Sequence, residues 1–109
     1  MELVLHSHNA TVSDVIRERA ERLVRRLAPR LGRVVDVTVR FADNGPLRRV
    51  EIDLHQAGGR RMVCVGTGRY FGPALAHAGA ALRAQLEHGK RTRRERSRDA
   101  SPAPLAEAS

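Results

Sequence analysis

The sequence predicts an α+β domain in the order β-α-β-β-β-α, with two helices packed on one face of a four-stranded mixed sheet. Three observations predict it. Several short segments alternate apolar and polar residues with period two. Two longer segments repeat apolar residues at helical spacing. The last three strands are separated by turn signals of a few residues, whereas a whole helix separates the first two.

Residues 2–6 alternate weakly and read as the first strand, followed by a polar connection, His8-Asn9-Ala10-Thr11. Ser13 is a good N-cap, and Asp14 complements the dipole of the first helix. Ile16, Ala20, Leu23, Leu27 and Leu31 then share one face, widened by Val24. Pro29 should disturb the last turn and Gly32 should end it. Val35, Val37, Val39 and Phe41 alternate with Asp36, Thr38 and Arg40, a half-buried second strand. Asp43-Asn44-Gly45-Pro46 reads as a turn.

Val50, Ile52 and Leu54 alternate with Glu51, Asp53 and His55 in a third strand, and Ala57-Gly58-Gly59 supplies a hairpin loop. Met62-Val63-Cys64-Val65 is the fourth strand, with Gly66-Thr67-Gly68 leading out of the sheet. Pro73 suits a first helical turn. Leu75, Ala78, Leu82 and Leu86 make the apolar stripe of the second helix. Beyond Gly89 the basic run is either the solvated end of that helix or a tail that orders on a partner. The first strand, helix and second strand imply a right-handed crossover and one parallel pair; the other pairs should be antiparallel. Residues 1–98 are expected to form one domain and 99–109 a disordered tail rich in small residues and proline.

The 109 residues are 41% hydrophobic and 29% charged, a globular balance sufficient for one core. Apolar runs are too short for a membrane span, and the first residues lack a secretory signal. Cys64 is the only cysteine, which fits a reducing compartment; a cytoplasmic location is expected.

Charge narrows the function. The net charge is +8, nearly all from arginine. Arg17, Arg19, Arg22, Arg25, Arg26 and Arg30 face only Asp14, Glu18 and Glu21 in the first helix region. Lys90, Arg91, Arg93, Arg94, Arg96 and Arg98 face only Glu95 at the end of the second. A coding bias explains arginine in place of lysine but not that second excess. Two neighbouring helices should merge their outward arginines into one cationic surface, the footprint of a nucleic-acid binder.

No catalytic constellation stands out, and no cofactor or small-molecule substrate is expected. His6 and His8 share a strand face, but no carboxylate or cysteine cluster completes a metal site. Cys64 reads as a buried inert thiol. The glycines of Gly66-Thr67-Gly68 lack the rest of a phosphate-loop motif and read as a plain connection. Only Phe41, Tyr70 and Phe71 are aromatic, too few for a sheet that stacks successive bases. The open sheet face carries Asp36, Glu51 and Asp53 and should repel phosphate. Binding should therefore use the helix side, with arginine forks on the phosphates of folded RNA.

The chain also resembles a known family, the ribosome hibernation-promoting factors, including the short ribosome-associated translation inhibitors. Val12-Ser13-Asp14-Val15-Ile16-Arg17 is similar to the family's helix start, and Arg26-Leu27 to its Lys-Leu. Val50-Glu51-Ile52-Asp53-Leu54 with Gly58-Gly59 resembles its third strand and hairpin. Leu82-Arg83-Ala84-Gln85-Leu86, then His88, Lys90 and Arg91, resembles its last helix. The resemblance runs from about Met1 to Arg94.

It implies a protein that binds ribosomal RNA in the mRNA and tRNA channel of the small ribosomal subunit. Such a protein silences idle ribosomes under stress or in stationary phase. It carries over RNA contacts to Arg17, Arg26, Arg83, Lys90 and Arg91, to which the charge pattern adds Arg22, Arg25, Arg93 and Arg94. Off the ribosome a monomer is expected, with no membrane partner. The family's acidic opening of the last helix is replaced by Arg69-Tyr70-Phe71-Gly72-Pro73. The dimerisation domain of long members does not follow, so ribosome pairing by that route is not expected. A general double-stranded RNA-binding module is the alternative. A small enzyme or protein-interaction domain would instead need a functional pocket and weak salt dependence.

Overall fold

The two amphipathic segments of this sequence cannot bury their stripes alone, and the sheet has one strongly apolar face; packing one against the other satisfies both. The computed structural model describes the backbone of residues 1–99 and the side chains of residues 1–88. Its elements are β1 (Glu2–His8), α1 (Asp14–Leu27), a 3-10 turn (Ala28–Leu31), β2 (Val34–Asn44), β3 (Leu47–Gln56), β4 (Arg61–Gly68) and α2 (Phe71–Asp99). The strands lie in the order β1-β2-β3-β4. β1 runs parallel to β2, and the other pairs are antiparallel. This is the predicted α+β architecture.

Alternation builds the core. Val37, Val39 and Phe41 of β2 and Val50, Ile52 and Leu54 of β3 are fully buried on one face. Ala20, Leu23, Val24 and Leu27 of α1 and Ala74, Leu75, Ala78, Leu82 and Leu86 of α2 cover them. Each large apolar side chain so buried contributes about 1.5–3 kcal/mol. The opening of α2 is held by Phe71, whose ring meets Phe41 edge-on at 5.7 Å and lies under Arg48 at 5.9 Å.

Several boundaries differ from the sequence reading. α1 stops at Leu27 because Pro29 cannot donate to an α-helical ladder, and Leu31 joins the core edge from the 3-10 turn instead. β2 and β3 extend to a two-residue Gly45-Pro46 loop, so Asp43 and Asn44 are strand residues. Gly66-Thr67-Gly68 does not lead out of the sheet: it forms the end of β4. Gly66 is buried, and α2 crosses it so closely that a Cβ would meet the Ala74 carbonyl and the Ala78 amide nitrogen. The glycine is a packing device. α2 continues through Gly89 to Asp99, so the basic run is helical in its backbone. Asp99, expected to open the tail over 99–109, is the last residue of α2; the side chains of Lys90, Arg91, Arg93 and Arg94, and residues 100–109, lie outside the described residues.

Candidate nucleic-acid interface

α1 is placed by its ends and its stripe. The Ser13 side chain accepts from the Ile16 amide at 3.3 Å, and Asp14 lies in the positive first turn. The stripe faces the sheet and α2, which leaves the arginines outward. α2 approaches α1 at Gly79, where a Cβ would come within 2.6 Å of Leu23 Cδ1. Between the helices runs a groove of about 440 Å³.

Arg19, Arg22 and Arg26 of α1 and Arg83 of α2 rim this groove. Leu23, Leu75, Ala76 and Gly72 form its floor. Gly72 lets the Arg19 guanidinium lie against the first turn of α2, within 3.6 Å of where a Cβ would stand. Among the described residues, no carboxylate lines the groove, and none pairs with Arg19, Arg26 or Arg83. Arg22 meets Glu18 at 3.9 Å, with both side chains largely in solvent. Such a pair is worth little, so that guanidinium remains available. The arrangement is a cationic trough with an apolar bottom.

The nine residues singled out from the sequence do not all come together. Arg22, Arg26 and Arg83 converge on the groove. Arg17 turns toward β1, where its Nη2 donates to Ser7 Oγ at 3.0 Å. Arg25 points away from α2 and donates to Glu21 Oε1 at 3.1 Å. Lys90, Arg91, Arg93 and Arg94 lie on the last turns of α2, outside the residues whose side chains are described. Arg19 was not singled out, although it stands with Arg22 and Arg26 at spacings of three and seven, one helical face.

The opposite, open face of the sheet is not the acidic surface expected. Asp53 is 1% exposed. Arg61 donates to both of its oxygens, at 3.0 and 2.7 Å, and Arg40 adds a contact at 3.1 Å. Arg40 and Arg49 also reach Glu51, and His55 Nδ1 lies 2.7 Å from Asp36. The carboxylates that alternation places there are thus offset by cations on the same face. No buried side-chain nitrogen or oxygen among the described residues is left without a partner.

The Arg61 fork holds the Asp53 carboxyl down at about 2, against desolvation that acts the other way, with Arg40 assisting. Asp53 in turn raises both guanidinium pKa values. A carboxylate held below its ordinary value contributes stability at neutral pH that is lost as pH falls toward the folded value. Thermal melts of the protein and of Asp53→Asn should therefore differ at pH 7, by about 1–3 kcal/mol as hydrogen bonds to charged groups are lost. They should converge as the pH is lowered from 5 toward 2. A gap that persists at pH 2 would contradict this origin.

The remaining candidates are structural in their surroundings. Cys64 is buried, and burial pushes its thiol pKa up. His77 Nδ1 donates to the Thr67 carbonyl at 2.7 Å, tying α2 to β4. Among the described residues no cluster of three or more histidine, cysteine or acidic side chains is placed to hold a metal, and no helix is long and apolar enough to cross a membrane.

Comparison with known proteins agrees with this fold. A ribosomal subunit interface protein from Coxiella burnetii has a similar fold, with a TM-score of 0.73 at 17% identity over 83% of this chain and 98% of that one. The N-terminal domain of Thermus thermophilus Protein Y gives a TM-score of 0.62 at 21% identity, over 84% and 99%. At these identities the likeness is one of fold. No curated protein matches the sequence. The family profile described as sigma 54 modulation protein / S30EA ribosomal protein matches residues 3–94. With that span, the β-α-β-β-β-α order and the motifs along both helices, the chain belongs to the sigma 54 modulation protein / S30EA ribosomal protein family, that of the ribosome hibernation-promoting factors.

Proposed function

We propose that this protein binds the small ribosomal subunit in the channel used by mRNA and tRNA, and inhibits translation under stress or in stationary phase. The observation that carries the reading is the groove between α1 and α2, rimmed by four arginines and free of carboxylate among the described residues. Family membership supports the choice of ribosomal RNA as the polyanion. Guanidinium forks suit phosphate oxygens bidentately, and helices present them on a rigid frame. Arg19, Arg22, Arg26 and Arg83 are the proposed central contacts. Arg17 and Arg25 are proposed as peripheral ones. Lys90 and Arg91, on the strength of the family resemblance, and Arg93 and Arg94, on that of the charge pattern, extend the set along α2. The protein acts as a monomer in the cytoplasm and needs no cofactor.

Sedimentation tests this. Extracts of starved cells are run through a sucrose gradient and probed for the protein. It should travel with the small subunit or whole ribosomes, and an added generic RNA duplex should not displace it at comparable concentration. A protein that stays at the top of the gradient overturns the reading. Displacement by the duplex turns it into a general double-stranded RNA binder.

A further inference from the structure

We propose that the groove between α1 and α2 holds a single nucleotide, its base on the apolar floor and its phosphate among Arg19, Arg22, Arg26 and Arg83. The inference rests on the RNA-binding reading of this helix face and specifies what the groove grips.

Three properties carry it. The first is size: about 440 Å³ falls within the roughly 300–1,000 Å³ of small-molecule sites. A flat cationic face would serve a duplex backbone without any such recess. The second is the floor. Ala76 presents its methyl there, above the buried Leu23 and Leu75, a small apolar patch that phosphates and riboses cannot use, whereas the face of a nucleobase can. The third is the rim. Guanidinium groups both donate to phosphate and stack flat against bases, so arginine takes the place of the aromatic rings this sequence lacks. The recess exists because small residues line α2. Gly72 and Ala76 keep its floor low, and a longer side chain at 76 would fill it without altering charge.

A nucleotide of this kind has two sources: a free nucleoside triphosphate, or one unstacked residue of a folded RNA. Labelled ATP, a hairpin RNA with one bulged adenosine and the same hairpin fully paired separate them. The protein should bind the bulged hairpin about fivefold or more tighter than the paired one, the low end of what a single stacked base contributes. Labelled ATP should be displaced at least about tenfold less well by inorganic triphosphate than by ATP if the base is held. Preference for the bulge assigns the site to RNA. ATP selectivity without it assigns the site to the free nucleotide.

Ala76→Leu, at an exposed helical position that tolerates leucine, should remove whichever preference is seen. Its melting temperature should be unchanged, which separates a filled groove from a damaged fold. Equal affinity for both hairpins together with equal competition by triphosphate overturns the inference, as does a preference that survives Ala76→Leu. If the protein still sediments with ribosomes in that event, only the nucleotide site falls. If it does not, the ribosomal reading falls with it.

Discussion

Replacing Arg19, Arg22 and Arg26 together by glutamate is expected to release the protein from ribosomes. Affinity for ribosomal RNA should drop about a hundredfold or more at physiological salt, because three phosphate-neutralising charges become repulsive. The steepness of log-affinity against log-salt should fall at the same time, since fewer counterions are released. All three side chains are exposed, so the domain should fold. New like-charge neighbours, such as positions 18 and 22, cost only a few tenths of a kcal/mol each. Reversal of Arg25 is the internal comparison. It changes net charge by the same amount per residue but lies away from the groove, already engaged by Glu21 at 3.1 Å. Its loss should be several-fold at most. Filter binding of both variants and of the single Arg19, Arg22 and Arg26 reversals, with circular dichroism as the folding control, decides the matter. If Arg25→Glu weakens binding as much as any single groove reversal, attraction depends on total charge and the groove has no special place.

That comparison marks where the sequence could be read to the level of a side chain. Arginine density on α1 was plain. Which arginines act together follows from helical phase, at roughly 100° per residue. Arg19, Arg22 and Arg26 fall within a narrow arc beside Leu23, the residue that meets α2, whereas Arg17 lies about half a turn from Arg26. That phase identifies the groove only when the side of α1 that α2 occupies is known. Handedness and sheet order set that side, and residue counts do not. Arginine count alone therefore gives Arg17 the same standing as Arg26 and does not mark Arg19.

The sheet face failed in the reading for a related reason. Alternation assigned Asp36, Glu51 and Asp53 to the open side correctly. Apart from Arg49, which reaches Glu51 along β3, their partners cross between strands, and register decides them. Arg40 lies opposite Glu51 on β3, and Arg61 opposite His55. Both converge on Asp53 from neighbouring rows. A strand seen alone looks acidic; the assembled sheet is balanced. The element order and the parallel β1-β2 pair were legible because helix periodicity and short turns leave few alternatives. The glycines of β4 were not, because a glycine that ends a strand and one that admits a helix look the same in sequence.

Gly66→Ala is the substitution expected to harm the fold most for the fewest atoms added. One methyl group at this position points into α2, onto the Ala74 carbonyl and the Ala78 amide nitrogen, with His77 Cβ 2.9 Å away. These are backbone atoms in the opening turns of a helix, so no rotamer change relieves the overlap. α2 must move off β4 as a body, and it carries Leu75, Leu82 and Leu86 of the core with it. The cost should reach about 3 kcal/mol or more, at the upper end of overpacking effects. A domain of about 100 residues would then melt roughly 10–25 °C lower. The groove suffers too, since its α2 wall is set by the same contact. Gly72→Ala is the control. A Cβ there meets only the Arg19 guanidinium at 3.6 Å and Ile16 Cδ1 at 3.9 Å, ordinary contact distances. Its melting temperature should stay within a few degrees of the parent or rise, as alanine favours helix over glycine. If Gly66→Ala melts like Gly72→Ala, the close crossing of β4 by α2 is not what fixes the helix on the sheet.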